Sequence, residues 1–298
     1  MGFSALAGRI PEWGRLFDEA AYQAFHDAVR EELTARGQPF ELHEAHARLG
    51  DWELPLLPLA QRCARASRSD WRDLIREDLE ARFAEEKLGR ELDSLRGDVE
   101  RALPALKLRI QRSGTLRPGT VSAPVAGDLH AVLVLDLPSF VTPVRVADLA
   151  AWDRPAGELV AIALENVKTK ERVEIKPMEV AGARLFAVTG TSVFVATLGL
   201  AADDLLGRAT PRGALVAMPS GHILLCHSIA DARSLKVLPA MAAGALQAFE
   251  GGPAPLSPDL FWKRGDHFVA LPVRREQGEV KCELPREFDE QVAARLSR

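Results

Sequence analysis

Cysteine is scarce in this chain. Cys63, Cys226 and Cys282 stand far apart with no CxxC pair, which excludes a disulfide framework and a zinc ribbon. Basic surplus is absent too, with 38 Lys and Arg against 42 Asp and Glu and a net charge of −4. No Lys/Arg cluster is free of nearby acids, so the chain offers no footprint for nucleic-acid phosphates. No apolar run approaches the roughly 20 residues of a membrane-spanning helix. The longest, such as Ala131–Leu135 and Ile223–Cys226, are strand-sized. The first residues, MGFSALAGRIPEWGRLF, lack the charged start, apolar core and cleavage site of a secretory leader. The expected location is therefore the cytoplasm. Phosphate-cradling loops, internal repeats and low-complexity tracts are also missing.

What is present reads as a globular protein of ordinary composition, 47% hydrophobic and 27% charged. Leu16, Phe17, Ala20, Ala21, Ala24, Phe25, Ala28, Val29 and Leu33 recur at helical spacing, with Gly37 as the stop. Phe40–Ala47 and Trp52–Leu54 flank Gly50 and predict a short hairpin. Trp71, Leu74, Ile75, Leu79 and Phe83 mark a second helix. Leu88, Leu92, Leu95, Val99 and Ala102 continue as a core-facing stripe laced with pairs such as Glu86 and Arg90.

After Pro104 strands dominate. Leu106–Ile110 alternates, residues 112–127 read as a loop, and Leu129–Leu137 is apolar enough to be central in a sheet. Helices are expected at Val146–Trp152 and Ala156–Lys168, and strands at Arg172–Glu179, Arg184–Thr189 and Ser192–Thr197. Ala214–Met218 pairs with Gly221–His227, and one long helix is expected over Ala230–Phe249. Phe261–Lys263 and His267–Leu271 form a hairpin over Arg264-Gly265-Asp266, before a strand at Val280–Glu283 and a helix from Arg286. The expected class is α+β: a helical N-terminal region with a short hairpin over residues 1–103, then a mixed, largely antiparallel sheet with packed helices over 104–298.

Several segments carry a resemblance. Ala131-Val132-Leu133-Val134-Leu135-Asp136-Leu137-Pro138 leads into Asp148-Leu149-Ala150-Ala151-Trp152 and Ala163-Leu164-Glu165-Asn166-Val167. Later come Ala214-Leu215-Val216-Ala217-Met218-Pro219, Ile223-Leu224-Leu225 and Leu256-Ser257-Pro258-Asp259-Leu260-Phe261-Trp262. The series, over residues 104–298, resembles the YtpQ-like family of bacterial proteins. The resemblance implies a mixed α+β fold in a bacterial, intracellular setting, and no activity. Val146-Ala147 stand where relatives cap the helix with Ser or Thr.

Candidate chemistry is sparse. His43-Glu44-Ala45-His46 has the wrong spacing for a metalloprotease helix, and on a strand the two imidazoles would diverge. Asp128 and His130 are two apart and could share a face, as an acid orienting a catalytic base would. Ser122, Ser139 and Ser220 lie in loops, and none stands in a nucleophile elbow. The bland alternative is a Gly-Asp turn beside a rim histidine. His222 and Cys226, four apart on one strand face, could join Cys63 or Cys282 round a metal, although Cys226 reads more simply as a small buried hydrophobe. Asp203 and Asp204 suit the first turn of a helix better than Mg²⁺. No cofactor is expected.

The leading expectation is a non-enzymatic, cytoplasmic protein-binding module of adaptor or chaperone-like kind with an unidentified protein partner, no nucleic acid and no membrane. The alternatives are an enzyme, such as a hydrolase using Asp128 and His130 or the His222/Cys226 face, and a small-molecule sensor. A deep apolar pocket would mark the sensor.

Overall fold

A computed structural model describes residues 16–296 apart from 208, 209 and 211. Residues 1–15, most of the segment read against a secretory leader, and the last two residues of the expected C-terminal helix lie outside them. The chain divides into two compact units, Met1–Asp93 and Ser94–Arg298, and its class is α+β.

In the first unit, Asp18 caps helix α1 (Glu19–Ala35) by accepting from the Ala21 amide at 2.7 Å. The i, i+3, i+4 spacing then buries Tyr22, Phe25, His26, Val29 and Leu33. A three-stranded meander follows: β1 (Glu41–Leu42), β2 (His46–Leu49) and β3 (Trp52–Pro55), all antiparallel. Its period of two sends Leu42, Ala47, Leu49 and Leu54 into the core with Phe25. Helices α2 (Leu57–Cys63) and α3 (Trp71–Gly97) complete that core with Leu59, Trp71, Ile75 and Leu79. The Trp71 indole N–H donates to the Cys63 carbonyl at 2.7 Å. The expected Glu86–Arg90 pair forms at 2.7 Å.

The second unit starts with α4 (Val99–Ala102) and a four-stranded antiparallel sheet. Its strands are β4 (Leu106–Arg112), β5 (Ser122–Ala126), β6 (Leu129–Asp136) and β7 (Val141–Pro143), and β6 is central, as its unbroken apolar run predicts. The loop expected at 112–127 is thus partly strand. Helices α5 (Val146–Trp152) and α6 (Ala156–Lys170) follow. Helix α5 has Arg145 at its N-cap, where the Asp148 carboxylate accepts from the Arg145 amide at 2.8 Å and from its guanidinium at 2.6 Å. Burial alone would push the Asp148 carboxyl up; the Arg145 hydrogen bonds and the Arg145 and Arg96 charges outweigh it and hold it low.

The larger sheet is wholly antiparallel. It contains β8 (Glu174–Val180), β9 (Ala183–Thr189), β10 (Ala214–Ser220), β11 (Ile223–Ser228), β12 (Leu260–Arg264) and β13 (His267–Leu271), in the order β13-β12-β10-β11-β9-β8. Between β9 and β10, the strand expected at Ser192–Thr197 is instead a 3-10 segment, Val195–Ala201, followed by α7 (Ala202–Leu206). Small residues let it lie flat on the sheet: a Cβ on Gly199 would stand 3.1–3.2 Å from Val216, Leu224 and Met218. The helix expected over Ala230–Phe249 is split into α8 (Arg233–Lys236) and α9 (Leu238–Gly251). Pro239 lacks the N–H of a continuing helix but suits the first turn of a new one. The chain ends in a ribbon, β14 (Val273–Glu276) with β15 (Glu279–Cys282), and two short turns, α10 (Arg286–Phe288) and α11 (Ala294–Leu296).

Alternation along the central strands fills two cores. Val216, Met218, Leu224, Cys226 and Phe261 meet the 3-10 segment and the smaller sheet on one face. Leu215, Ala217, Leu225 and Trp262 meet α9 and Phe288 on the other. Every residue of β10 is buried.

Candidate partner-binding edge

The sheet's two edges are treated differently. At β13, Phe268 and Ala270 pack into the core shared with Val125 and Ala126 of β5, and a Cβ on Gly127, in the β5–β6 turn, would stand 3.9 Å from Ala270. At β8 nothing pairs with the outer side among the described residues. Six of its residues are exposed, including Ile175 at 43% and Met178 at 39%.

The direction in which β8 points its backbone follows from its turn. Val180 and Ala183 close a two-residue connection in which Ala181 (φ 51°) and Gly182 (φ 77°) both take positive φ, the type I′ geometry that matches strand twist. In such a hairpin the closing pair exchanges both hydrogen bonds, and bonded pairs alternate back along the ladder. Val180, Met178, Lys176 and Glu174 therefore bond to β9. Ile175, Pro177 and Glu179 turn their backbones outward. Pro177 can sit in β8 only because it occupies an outward place, where its missing N–H costs the ladder nothing. The open edge thus offers the N–H groups of Ile175 and Glu179 and the carbonyls of Ile175, Pro177 and Glu179.

Beside the hairpin tip lies a groove of about 450 Å³, lined by Glu179, Arg184, Phe186, His227, Ser228 and Arg233 among others. The His227 Nδ1–H donates to the Arg184 carbonyl at 2.7 Å, tying β11 to β9. Arg233 holds Asp231 at 2.7 Å and Arg184 lies 3.6 Å from Glu179. Hydrogen bonds from Arg233 hold the Asp231 carboxyl below the usual range. The groove is charged and polar, unlike the deep apolar pocket expected of a small-molecule sensor.

The residues singled out for catalysis do not converge. Asp128 sits in the Gly127-Asp128 turn, bonded to the Ser113 hydroxyl and, at 3.1 Å, to Arg112. Those bonds hold its carboxyl low. His130 lies in β6 opposite Gln111 and Pro124, and its shielded Nδ1 has no hydrogen-bond partner. His222 is not on the strand face with Cys226: it lies in the turn before β11, its amide donating to the Ser220 hydroxyl at 3.2 Å. A two-residue connection placed it there, where an uninterrupted strand had been expected. Asp203 and Asp204 diverge to Lys263 at 2.5 Å and Lys168 at 2.7 Å. Among the described residues no group of three or more His, Cys, Asp or Glu is arranged for a metal.

The two histidines of His43-Glu44-Ala45-His46 do not diverge. His43 and His46 flank a turn, with the His43 amide donating to the His46 carbonyl at 2.9 Å. Because Leu42 pairs with Ala47, the antiparallel register sets the two histidines opposite each other. The imidazoles stack with centroids 4.6 Å apart instead of diverging.

All three cysteines are free. Burial pushes the thiols up, to about 11 for Cys63 and Cys282 and about 12 for Cys226. Thiolates are the reactive form. Iodoacetamide at neutral pH should alkylate the native thiols at least about tenfold more slowly than in denaturant. Equal rates would show an open thiol.

The strand expected at Arg172–Glu179 is present at Glu174–Val180; its place at the sheet edge is what Pro177 inside a strand pattern signals. No helix among the described residues is long and apolar enough to cross a membrane. No family model matches the chain, and no curated protein or solved structure does.

Proposed function

We propose that the protein is a non-enzymatic, cytoplasmic protein-binding module, adaptor or chaperone-like, whose partner adds an extended segment to β8. The open outer side of β8 carries this reading. Strand addition draws affinity from main-chain bonds and selectivity from the alternating side chains. Pro177 removes one outward donor, which restrains indiscriminate pairing while leaving the edge usable. The likeness to the YtpQ-like family belongs to the same proposal and assigns no activity.

Native mass spectrometry of the protein isolated gently from its own cells should show a second polypeptide at fixed stoichiometry. Ile175→Pro with Glu179→Pro removes the remaining outward donors and spares the ladder to β9. Partner affinity should fall about tenfold or more, with a stability change of about 1 kcal/mol. Lys176→Pro strikes an inward donor and should cost about 3 kcal/mol of stability. A doubly substituted edge that still holds the partner would defeat the reading.

A further inference from the structure

Strand register builds the groove beside the β8–β9 hairpin tip. Glu179 pairs with Arg184 across β8 and β9, and Cys226 pairs with Phe186 across β11 and β9. Two residues on, the same antiparallel register sets Ser228 opposite Arg184, with both side chains on one face. Glu179, Arg184 and Ser228 thus form a row across three strands, and all three line the cavity of about 450 Å³.

The donors of this row are unspent. Ser228 is 3% exposed, yet among the described residues its hydroxyl makes no hydrogen bond where it meets the cavity. A buried hydroxyl in that state is costly until a partner completes it. Ser234, also buried in the lining, accepts from the Ala230 amide at 3.1 Å and keeps its own proton to donate. Arg233 is committed to Asp231 through Nε and Nη2, at 3.1 and 2.7 Å. The Arg184 guanidinium has only Glu179 near it, at 3.6 Å, beyond hydrogen-bond reach. Glu179 is about two-thirds exposed and can turn into water.

We propose that this groove binds a small phosphate monoester, its phosphoryl group held by Arg184, Ser228 and Ser234. A guanidinium fork beside two hydroxyl donors offers hydrogen bonds in several directions, which suits the three free oxygens of a phosphate better than the two of a carboxylate. The site uses side chains of β9 and β11 rather than the outward backbone of β8, so it stands whether or not a partner adds there.

Amide NMR of the full chain, titrated in phosphate-free buffer at fixed ionic strength, tests this. Inorganic phosphate should give saturable shifts centred on Arg184, Ser228 and Ser234, with acetate about tenfold weaker. Glycerol phosphate should bind more tightly than inorganic phosphate, because the cavity has room for more than one phosphate; equal affinities would overturn the monoester. Arg184→Gln should weaken phosphate about tenfold or more, and Ser228→Ala about fivefold. Ser228→Ala deletes a single oxygen and should leave the amide spectrum elsewhere unchanged, which separates ligation from folding. Glu179→Gln removes a competing carboxylate and should tighten binding about twofold or more. Arg275→Gln, outside the lining, should change nothing. Shifts that never saturate, acetate binding as tightly as phosphate, or undiminished affinity in Arg184→Gln would overturn the site.

Discussion

Replacing Lys107 with alanine should destabilise the protein by about 3 to 5 kcal/mol, measured by chemical denaturation. Lys107 is 9% exposed in β4. Its ammonium bridges Asp136 at 2.7 Å and Glu171 at 2.5 Å and lies 4.6 Å from the Phe194 ring centre. Burial disfavours the charged form, but hydrogen bonds to Asp136 and Glu171 outweigh it and raise the ammonium above its ordinary value. Glu171, 6% exposed, loses its cation in the variant and has little water to replace it. The cost comes from stranding a buried charge more than from losing the attraction. Lys107→Met combined with Glu171→Gln should therefore lose less than Lys107→Met alone. A loss under about 1 kcal/mol in Lys107→Ala would place the carboxylates in water.

Gly213→Ala should cost about 3 kcal/mol or more. Gly213 has φ +84°, and an added Cβ would stand 2.3 Å from the Lys263 carbonyl and 2.6 Å from Trp262 Nε1. Neither neighbour can yield easily. Lys263 is held in the ladder opposite Ala214, and the Trp262 indole donates to the Arg212 carbonyl at 2.8 Å. Gly207, at φ +61° with nothing within 4 Å of its would-be Cβ, isolates the conformational part. Gly207→Ala should cost only about 1 kcal/mol. Equal losses at the two sites in thermal or denaturant unfolding would remove the steric argument.

The sequence was most legible where local pattern and tertiary placement agree. The apolar run of β6 announced a central strand, and Arg264-Gly265-Asp266 announced the β12–β13 hairpin. Pattern failed where long-range packing decided. The 3-10 segment reads as strand because its apolar residues are consecutive; Gly199 against Met218 and Leu224 selects the tighter turn. His43 and His46 were assigned to one strand because Glu44-Ala45 carries none of the glycine, proline or asparagine that marks a reversal. One unmarked turn converted diverging side chains into a stacked pair. Lys107 was legible as a strand residue, but Glu171, distant in sequence, was not legible as its partner. The open edge was half legible: Pro177 argues for an edge, and only the sheet order shows that no strand among the described residues pairs with its outer side.

Amide hydrogen exchange on β8, with and without the partner, tests strand addition most directly. In the free protein the Ile175 and Glu179 amides should exchange rapidly, while those of Lys176 and Met178 are slowed by their bonds to β9. On partner binding, Ile175 and Glu179 should become protected and Lys176 and Met178 should change little. Binding that leaves Ile175 and Glu179 exchanging as in the free chain would contradict addition at this edge.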